Sequence, residues 1–255
     1  MITRKRFGQN FLIDEGVIGD IAIAISISDQ DQVLEIGPGR GALTQVLYNS
    51  IADKYRAVEI DRDLIGALAS RFPGIDLVNG DILKLPLKEL LFGGFWRIVG
   101  NLPYNISTPL LVRLFAFTEV ICDMHFMLQK EVGQRLCASP GTKQWGRLSV
   151  LAQFHCDIEE LFAVGPQSFS PAPKVDSSFL RFVPRKDKPY LADEKNLSLV
   201  LRHAFSGRRK RIGNSLKMLE VPWEKISLSS DKRADQLNVD DYVLLANEIA
   251  LGRDD

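Results

Sequence analysis

Asn101-Leu102-Pro103-Tyr104 follows an apolar run and joins an amide, a peptide bond without an N–H and an aromatic ring within four residues. The Leu102–Pro103 peptide presents a carbonyl and no donor, because proline lacks a backbone N–H. The Asn101 side chain adds a second carbonyl. Two acceptors and a ring suit a planar heterocycle bearing an –NH2 group, such as a nucleobase: the carbonyls accept from the amino group while Tyr104 stacks on the ring. A plain turn leaving a strand would use the same residues, since Asn and Pro are ordinary turn formers, and motifs of this length match by chance. The residues upstream shift the balance toward the heterocycle.

There the chain reads Glu35-Ile36-Gly37-Pro38-Gly39-Arg40-Gly41-Ala42, a glycine-rich turn between an apolar strand and a helix. Glycine lets a ligand come close to the backbone. Gly37, Gly39 and Ala42 fit the dinucleotide fingerprint, and Glu59 stands ~20 residues on, where a ribose-binding acid is expected. A nicotinamide enzyme satisfies that pattern. Glu35 counts against it, because a carboxylate just before the glycines repels a pyrophosphate. A cationic cofactor without phosphate tolerates the acid, and S-adenosylmethionine, with its sulfonium, ammonium, ribose and adenine, is one. Glu59 could take both ribose hydroxyls in charge-assisted hydrogen bonds of ~1.5–3 kcal/mol each. Asp81, in Asn79-Gly80-Asp81-Ile82, could accept from the adenine amino group. Any one of these acids could be a helix cap. Successive strand ends carrying acid, acid and Asn-Leu-Pro-Tyr fit a ligand better, since open α/β sheets bind ligands at the carboxyl ends of their strands.

Those ends need a sheet. Short apolar runs rich in β-branched residues alternate with segments of helical period, which predicts a doubly wound, mostly parallel seven-stranded sheet wrapped by helices. The expected strands are 32–36, 56–60, 75–78, 96–99, 124–128, 158–164 and 178–183. The last two lack a helix between them and read as an antiparallel hairpin at one end of the sheet. Asp14 is the expected N-cap of a helix with Val17, Ile18, Ile21, Ala22 and Ile25 on one face; further helices are expected over 42–49, 62–71, 109–117, 130–138 and 146–155. Pro184-Arg185-Lys186-Asp187-Lys188-Pro189 is a charged, proline-bounded linker. It divides the chain into residues 1–184 and a small all-helical part, 185–255, with stripes Leu197, Val200, Leu201, Ala204, Phe205 and Ile212, Leu216, Leu219. Asp240 is the expected cap of a last helix reaching Leu251.

At 255 residues, with 45% hydrophobic and 25% charged residues, the chain has an ordinary globular composition. Its net charge is zero, yet Arg208-Arg209-Lys210-Arg211 and Arg4-Lys5-Arg6 are local cationic runs suited to nucleic-acid phosphates. Cys122, Cys137 and Cys156 form no Cys-x-x-Cys pair, and no secretory leader precedes Thr3-Arg4-Lys5, which points to a reduced cytoplasmic compartment. His125 and His155 lack metal-ligand spacing beside those cysteines, so no metal is expected. The apolar runs are far shorter than the ~20 residues of a membrane span.

With Phe7-Gly8-Gln9-Asn10-Phe11-Leu12, Glu35-Ile36-Gly37-Pro38-Gly39, Glu59-Ile60-Asp61, Gly80-Asp81, Asn101 through Thr108, Phe169 through Ser177, and Phe205 with Arg208-Arg209-Lys210 and Asn214, the chain resembles the ribosomal RNA adenine N6,N6-dimethyltransferases. It is most similar to their small-subunit branch, the one tied to kasugamycin sensitivity. The resemblance covers nearly the whole chain. It implies a Rossmann-like class I methyltransferase domain, S-adenosylmethionine as cofactor and S-adenosylhomocysteine as product. It also implies that Gln9, Asn10 and Leu12 close over the cofactor, that Gly37 and Gly39 approach its methionine part, and that Glu59 with Ile60 holds the ribose and Asp81 with Ile82 the adenine. Asn101, Leu102, Pro103 and Tyr104 would form the target-base site, with Asn101 also binding the cofactor, Phe169 would be a second aromatic near that base, and Arg208, Arg209, Lys210 and Arg211 would bind RNA. The implied substrate is a pair of adjacent adenosines in a hairpin loop near the 3' end of small-subunit rRNA, on the immature subunit, with a monomeric enzyme. The alternatives are a large-subunit rRNA methylase of the antibiotic-resistance type, a DNA adenine methylase, and an assembly or transcription factor that has lost catalysis.

Overall fold

The computed structural model describes residues 9–48, 51, 54–207 and 209–251, without the side chains of 250 and 251. The apolar runs become strands: β1 (Phe11–Leu12), β2 (Gln32–Ile36), β3 (Tyr55–Glu59), β4 (Asp76–Asn79), β5 (Trp96–Asn101), β6 (Ile121–Gln129), β7 (Cys156–Val164), β8 (Phe169–Ser170) and β9 (Ser177–Pro184). The periodic segments become α1 (Glu15–Ile25), α2 (Ala42–Leu47), α3 (Arg62–Arg71), α4 (Leu87–Leu90), α5 (Ser107–Phe115), α6 (Lys130–Leu136), α7 (Arg147–His155), α8 (Glu194–Ser206), α9 (Ile212–Ser215) and α10 (Val239–Leu251).

Seven strands form one sheet in the order β4-β3-β2-β5-β6-β9-β7. Pairing is parallel from β4 through β6, and β9 is antiparallel to β6. The chain thus winds outward from β2 to β3 and β4, then returns to lay β5 on the other side of β2. The carboxyl ends of β2 and β5 flank the point where the winding reverses, which is where such sheets form a crevice. β7 and β9 are neighbours at one end, the place expected for the last two strands.

Strands in a parallel sheet are covered on both faces and therefore read as continuous apolar runs. Val33, Leu34 and Ile36 of β2 and Ile98 and Val99 of β5 are buried accordingly. Ile21 and Ile25 of α1 with Leu43 and Leu47 of α2 cover one face, sharing a core with Val33, Val99, Met127 and Phe179. Asp14 caps α1 as expected, its Oδ1 accepting from the N–H groups of Gly16 and Val17. Its other oxygen, Oδ2, accepts from the Ser168 hydroxyl at 2.9 Å.

One small element escaped the sequence reading. β1 and β8 pair antiparallel as a separate two-stranded ribbon, with Phe11 opposite Ser170 and Leu12 opposite Phe169. Two-residue strands carry no period for a pattern to reveal.

The chain forms two compact units, residues 1–133 with 157–184, and 134–156 with 185–255. The cut at 184/185 coincides with the charged linker. Residues 134–156, assigned from sequence to the first domain, group instead with the second. Trp145, Val150 and Phe154 share a buried core with Leu197, Val200, Leu201 and Ala204 of α8 and Tyr242, Leu245 and Ile249 of α10. The indole of Trp145 donates to the Leu237 carbonyl at 3.0 Å. Sequence proximity favoured the first domain; apolar surface on α7 favours the second.

Two expectations for the C-terminal unit need correction. Asp240 is not the cap of α10: Asn238 and Asp241 exchange side-chain acceptors for each other's backbone N–H, at 2.8 and 3.1 Å, so Asn238 caps and Asp240 lies within the first turn. The stripe Ile212, Leu216, Leu219 is not one helix either, because α9 stops at Ser215 and a 3-10 turn over Lys217–Leu219 ends at Glu220, whose φ is +50°.

Candidate active site

A cavity of about 260 Å³ opens at the carboxyl ends of β2, β3, β4 and β5. β2 delivers Glu35 to it and then turns through Gly37 and Gly39, whose φ values of +70° and +59° are left-handed, where glycine alone is unstrained. The Gly37 N–H donates to the Val58 carbonyl at 2.9 Å, which folds the turn back over β3. A Cβ on Gly37 would meet nothing within 4 Å, whereas one on Gly39 would lie 3.0 Å from the Phe11 ring.

Glu35 is buried at 1% exposure. One oxygen, Oε2, accepts from the Thr44 hydroxyl at 2.5 Å and from the Tyr55 hydroxyl at 2.7 Å. Burial raises its pKa to about 7, against the opposing effect of those two hydrogen bonds. Glu59, at the end of β3, accepts from the Gly39 N–H on one oxygen at 3.0 Å and from the Asp61 N–H on the other at 2.9 Å. Burial raises its pKa too, with the two N–H bonds pulling the other way. Each Glu59 oxygen keeps a second lone pair for a ligand hydroxyl. Asp81, just past β4, accepts the Leu83 N–H at 3.0 Å, and Lys84 stands 3.8 Å from its other oxygen. The loop that follows is held from behind by Arg113 of α5, which donates to the carbonyls of Ile82 and Leu85 at 2.5 and 2.9 Å.

β5 ends in Asn101. Gly100 before it permits close strand contact, since a Cβ there would sit 2.6 Å from the Ile36 carbonyl oxygen. The Asn101 amide nitrogen donates to the Asn10 backbone carbonyl at 2.9 Å. The amide's NH2 is thereby committed to the N-terminal segment, and its carbonyl oxygen remains as an acceptor. The Leu102 N–H donates to the Met127 carbonyl at 3.3 Å, tying the motif to β6. The Tyr104 hydroxyl is 2.8 Å from the Ser177 hydroxyl, which anchors the ring from β9.

Gln9, Asn10, Leu12, Gly37, Gly39, Glu59, Ile60, Asp81, Ile82, Asn101, Leu102, Pro103 and Tyr104 all line this one cavity. Phe169 does not. Its side chain is 3% exposed in the core that also holds Leu12, Met127 and Phe179, because β8 pairs it with Leu12 and turns it inward. Arg209, Lys210 and Arg211 are exposed on the other unit, with Arg211 paired to Asp231 at 2.8 Å; Arg208, like Arg4, Lys5 and Arg6, lies outside the described residues. Sequence reasoning missed Phe11, over whose ring the Arg40 guanidinium sits at 4.4 Å, and the supporting Thr44, Tyr55 and Arg113. Phe11 stands in the Phe7–Leu12 motif with nothing local to mark its role, and the other three lie outside the motifs with partners from elsewhere in the chain.

A family model described as ribosomal RNA adenine dimethylase matches residues 2–251. The chain belongs to that family. A ribosomal RNA small subunit methyltransferase A from Methylococcus capsulatus is 47% identical, with 97% of this chain and 98% of that one covered. Its namesake from Pseudomonas aeruginosa is 49% identical over 97% and 95%. Among solved structures, a dimethyladenosine transferase from Plasmodium falciparum superposes with a TM-score of 0.80 at 26% identity, covering 94% of this chain and 98% of that one. The 23S rRNA methyltransferase ErmE superposes at 0.72 with 25% identity, covering 94% and 100%.

The family and the cavity agree on the cofactor, S-adenosylmethionine, and on a class I methyltransferase fold. Glu35, Glu59 and Asp81 surround the space with carboxylates, which fits a cationic, phosphate-free molecule and disfavours a pyrophosphate. The open space above Gly37 admits close approach to backbone. Among the described residues, no group of three or more His, Cys, Asp or Glu could hold a metal ion, and no helix is long and apolar enough to cross a membrane.

Proposed function

We infer that this protein methylates N6 of adenosines in small-subunit ribosomal RNA, twice per base, using S-adenosylmethionine. The observation that carries the reading is the Asn101 amide, which lines the cavity together with Leu102 and Pro103 and whose nitrogen donates to the Asn10 carbonyl, leaving its oxygen as the acceptor end. Two carbonyl acceptors next to Tyr104 suit an exocyclic amino group. Adenine N6 is a weak nucleophile, its lone pair being delocalised into the ring. Accepting hydrogen bonds from its N–H groups at Asn101 Oδ1 and the Leu102 carbonyl draws the nitrogen toward tetrahedral geometry and localises that pair. S-adenosylmethionine supplies a methyl group on a sulfonium and leaves as S-adenosylhomocysteine. Holding N6 in line with that methyl can provide ~7–11 kcal/mol, so no strong base is needed, and the methylated nitrogen releases its proton to solvent.

A stacked base cannot reach this cavity, so an unpaired adenosine in a loop is the natural substrate. Tyr104 offsets the unstacking by ~1–3 kcal/mol. The finer assignment is two adjacent adenosines in a hairpin loop near the 3' end of the small-subunit rRNA, on an immature subunit, by a cytoplasmic monomer. Residues 1–133 with 157–184 would perform the transfer, and Arg208, Arg209, Lys210 and Arg211 in the other unit would bind RNA phosphates, giving an affinity that falls with salt. Glu59 with Ile60 holds the ribose, Asp81 with Ile82 the adenine and Gly37 with Gly39 the methionine part, while Gln9, Asn10 and Leu12 close over the cofactor. Phe169 acts from behind, as the buried partner of Leu12.

Small-subunit methyltransferases at 47–49% identity over nearly their full length support the small subunit over the large one, since ErmE, named for 23S rRNA, stands at 25%. The test is transfer of labelled methyl to unmethylated small subunits, large subunits and DNA, with nucleosides resolved by mass. Dimethyladenosine from small subunits is expected. Asn101→Ala should lower transfer ~100–1,000-fold, the size of an electrostatic hole that loses its side-chain group. Transfer near the wild-type rate by that variant refutes the lone-pair argument.

A further inference from the structure

An asparagine amide can be turned end for end without changing its shape, so something must decide which end faces the base. If Asn101 were reversed, its oxygen would face the Asn10 carbonyl, acceptor against acceptor, and its NH2 would face the –NH2 of adenine, donor against donor. Among the described residues, the backbone group that makes the choice is the Asn10 carbonyl, 2.9 Å from the amide nitrogen.

The geometry points to the N-terminal strap, acting through the Asn10 carbonyl, as the positioning element for the base-reading oxygen of Asn101, so that closing the cofactor site and arming the base site are one event. The proposal rests on Asn101 reading the base. The strap has its own supports, independent of any ligand. β1 begins one residue after Asn10 and pairs with β8. The Ile13 N–H donates to the Ser168 carbonyl at 2.9 Å. Leu12 and Phe169 are buried together in one core, and the Phe11 ring lies under the Arg40 guanidinium at the turn carrying Gly39. The carbonyl that selects the amide's orientation is therefore held by the same segment that walls the cofactor cavity. A strap that lifts releases both.

This also explains why a buried Phe169 stands in a motif otherwise concerned with the site. Its ring fixes the far side of the ribbon whose near side carries Asn10.

The discriminating variant is Asn101→Asp, which has the same shape and keeps acceptors for the adenine amino group. Ionised, it sets a carboxylate against the Asn10 carbonyl and repels the strap. Protonated, it donates to that carbonyl and presents C=O to the base. Asn101→Ala is the control: it lacks the donor at every pH and carries whatever Glu35 and Glu59 contribute by titrating. Hydrogen exchange at the β1 segment of the cofactor-free protein is read at pH 8 and pH 5, always as the ratio to wild type. For Asn101→Asp the ratio should exceed ~10 at pH 8 and return toward 1 at pH 5, while for Asn101→Ala it stays raised at both. The kcat of Asn101→Asp should rise with the same protonation, with little change in the KM for RNA. A ratio near 1 at both pH values overturns the proposal, and so does a raised ratio that ignores pH. Near-wild-type transfer by Asn101→Ala overturns the base-site reading instead, so the two failures are told apart.

Discussion

Glu35 should make cofactor binding release a proton. Its carboxyl is buried at 1% exposure, with a pKa raised by burial to about 7, so in the empty protein at neutral pH it is about half protonated. A bound cation in the same cavity favours the carboxylate and lowers that pKa. Close to half a proton should therefore leave per cofactor bound at pH 7, and nearly a whole one at pH 6. Affinity should rise up to tenfold per pH unit through 6 to 7 and level off above 8. Titration calorimetry in two buffers of different ionisation enthalpy reads the proton count directly. Glu35→Gln should remove the Glu35 share and leave only what Glu59 releases, with the amide oxygen still accepting from Thr44 or Tyr55. The same variant should stabilise the empty protein at high pH. A folded pKa raised from 4.5 to about 7 means stability fully present below 4.5 and lost as pH rises through 7, by about 3 kcal/mol at ~1.4 kcal/mol per unit. Binding at pH 6.5 with no proton released, or with the same release in Glu35→Gln, refutes the reasoning.

Arg113→Ala should weaken S-adenosylmethionine binding about tenfold and lower the melting temperature by a few degrees. It frees the loop that presents Asp81 and Ile82 by removing hydrogen bonds at 2.5 and 2.9 Å, each of ~0.5–1.5 kcal/mol, from a partly buried site; unchanged affinity would show that the loop holds its shape unaided. The two buried histidines should drive acid destabilisation. Burial lowers His125 and His155 to about 4 from the ordinary 6.5, so their contribution is present above 6.5 and lost as pH falls toward 4. Denaturant midpoints at pH 7 and 5 read it. His125 carries the sharper expectation, because neither ring nitrogen has a hydrogen-bond partner among the described residues: His125→Phe, keeping the stacking on Phe179, should flatten the fall, and an unaltered slope would contradict this account.

What the sequence made legible follows from what has a local period or a local motif. β2 and α3 fall on their predicted bounds, and the other sheet strands lie within a few residues, because a parallel strand buried on both faces is a continuous apolar run. Acids at strand ends announced themselves by their neighbours, Gly-x-Gly after Glu35 and Gly80 before Asp81. The misses share a different character. β1 and β8 are two residues each and exist only because each pairs with the other from about 160 positions away. Phe169 is aromatic, motif-borne and close to the site in sequence terms, yet that pairing turns it into the core. Arg113 and Tyr55 act through long-range partners, and α7 joins the C-terminal unit through Val150 and Phe154, whose apolar character was visible and whose destination was not.

The glycine turn itself shows why composition of a motif decides less than its charged surroundings. Gly37 and Gly39 serve a pyrophosphate as readily as a methionine tail, since both need close backbone approach. Glu35 separates the two. Burying a carboxyl there disfavours the ionised, empty protein, and Glu59 adds a second raised carboxyl in the same space. A pyrophosphate would deepen that penalty; a sulfonium and an ammonium relieve it. The empty site is common to both ligands and cancels from their difference, so the selectivity for a cationic cofactor lies in the opposite sign of the two ligands' interactions with these carboxyls.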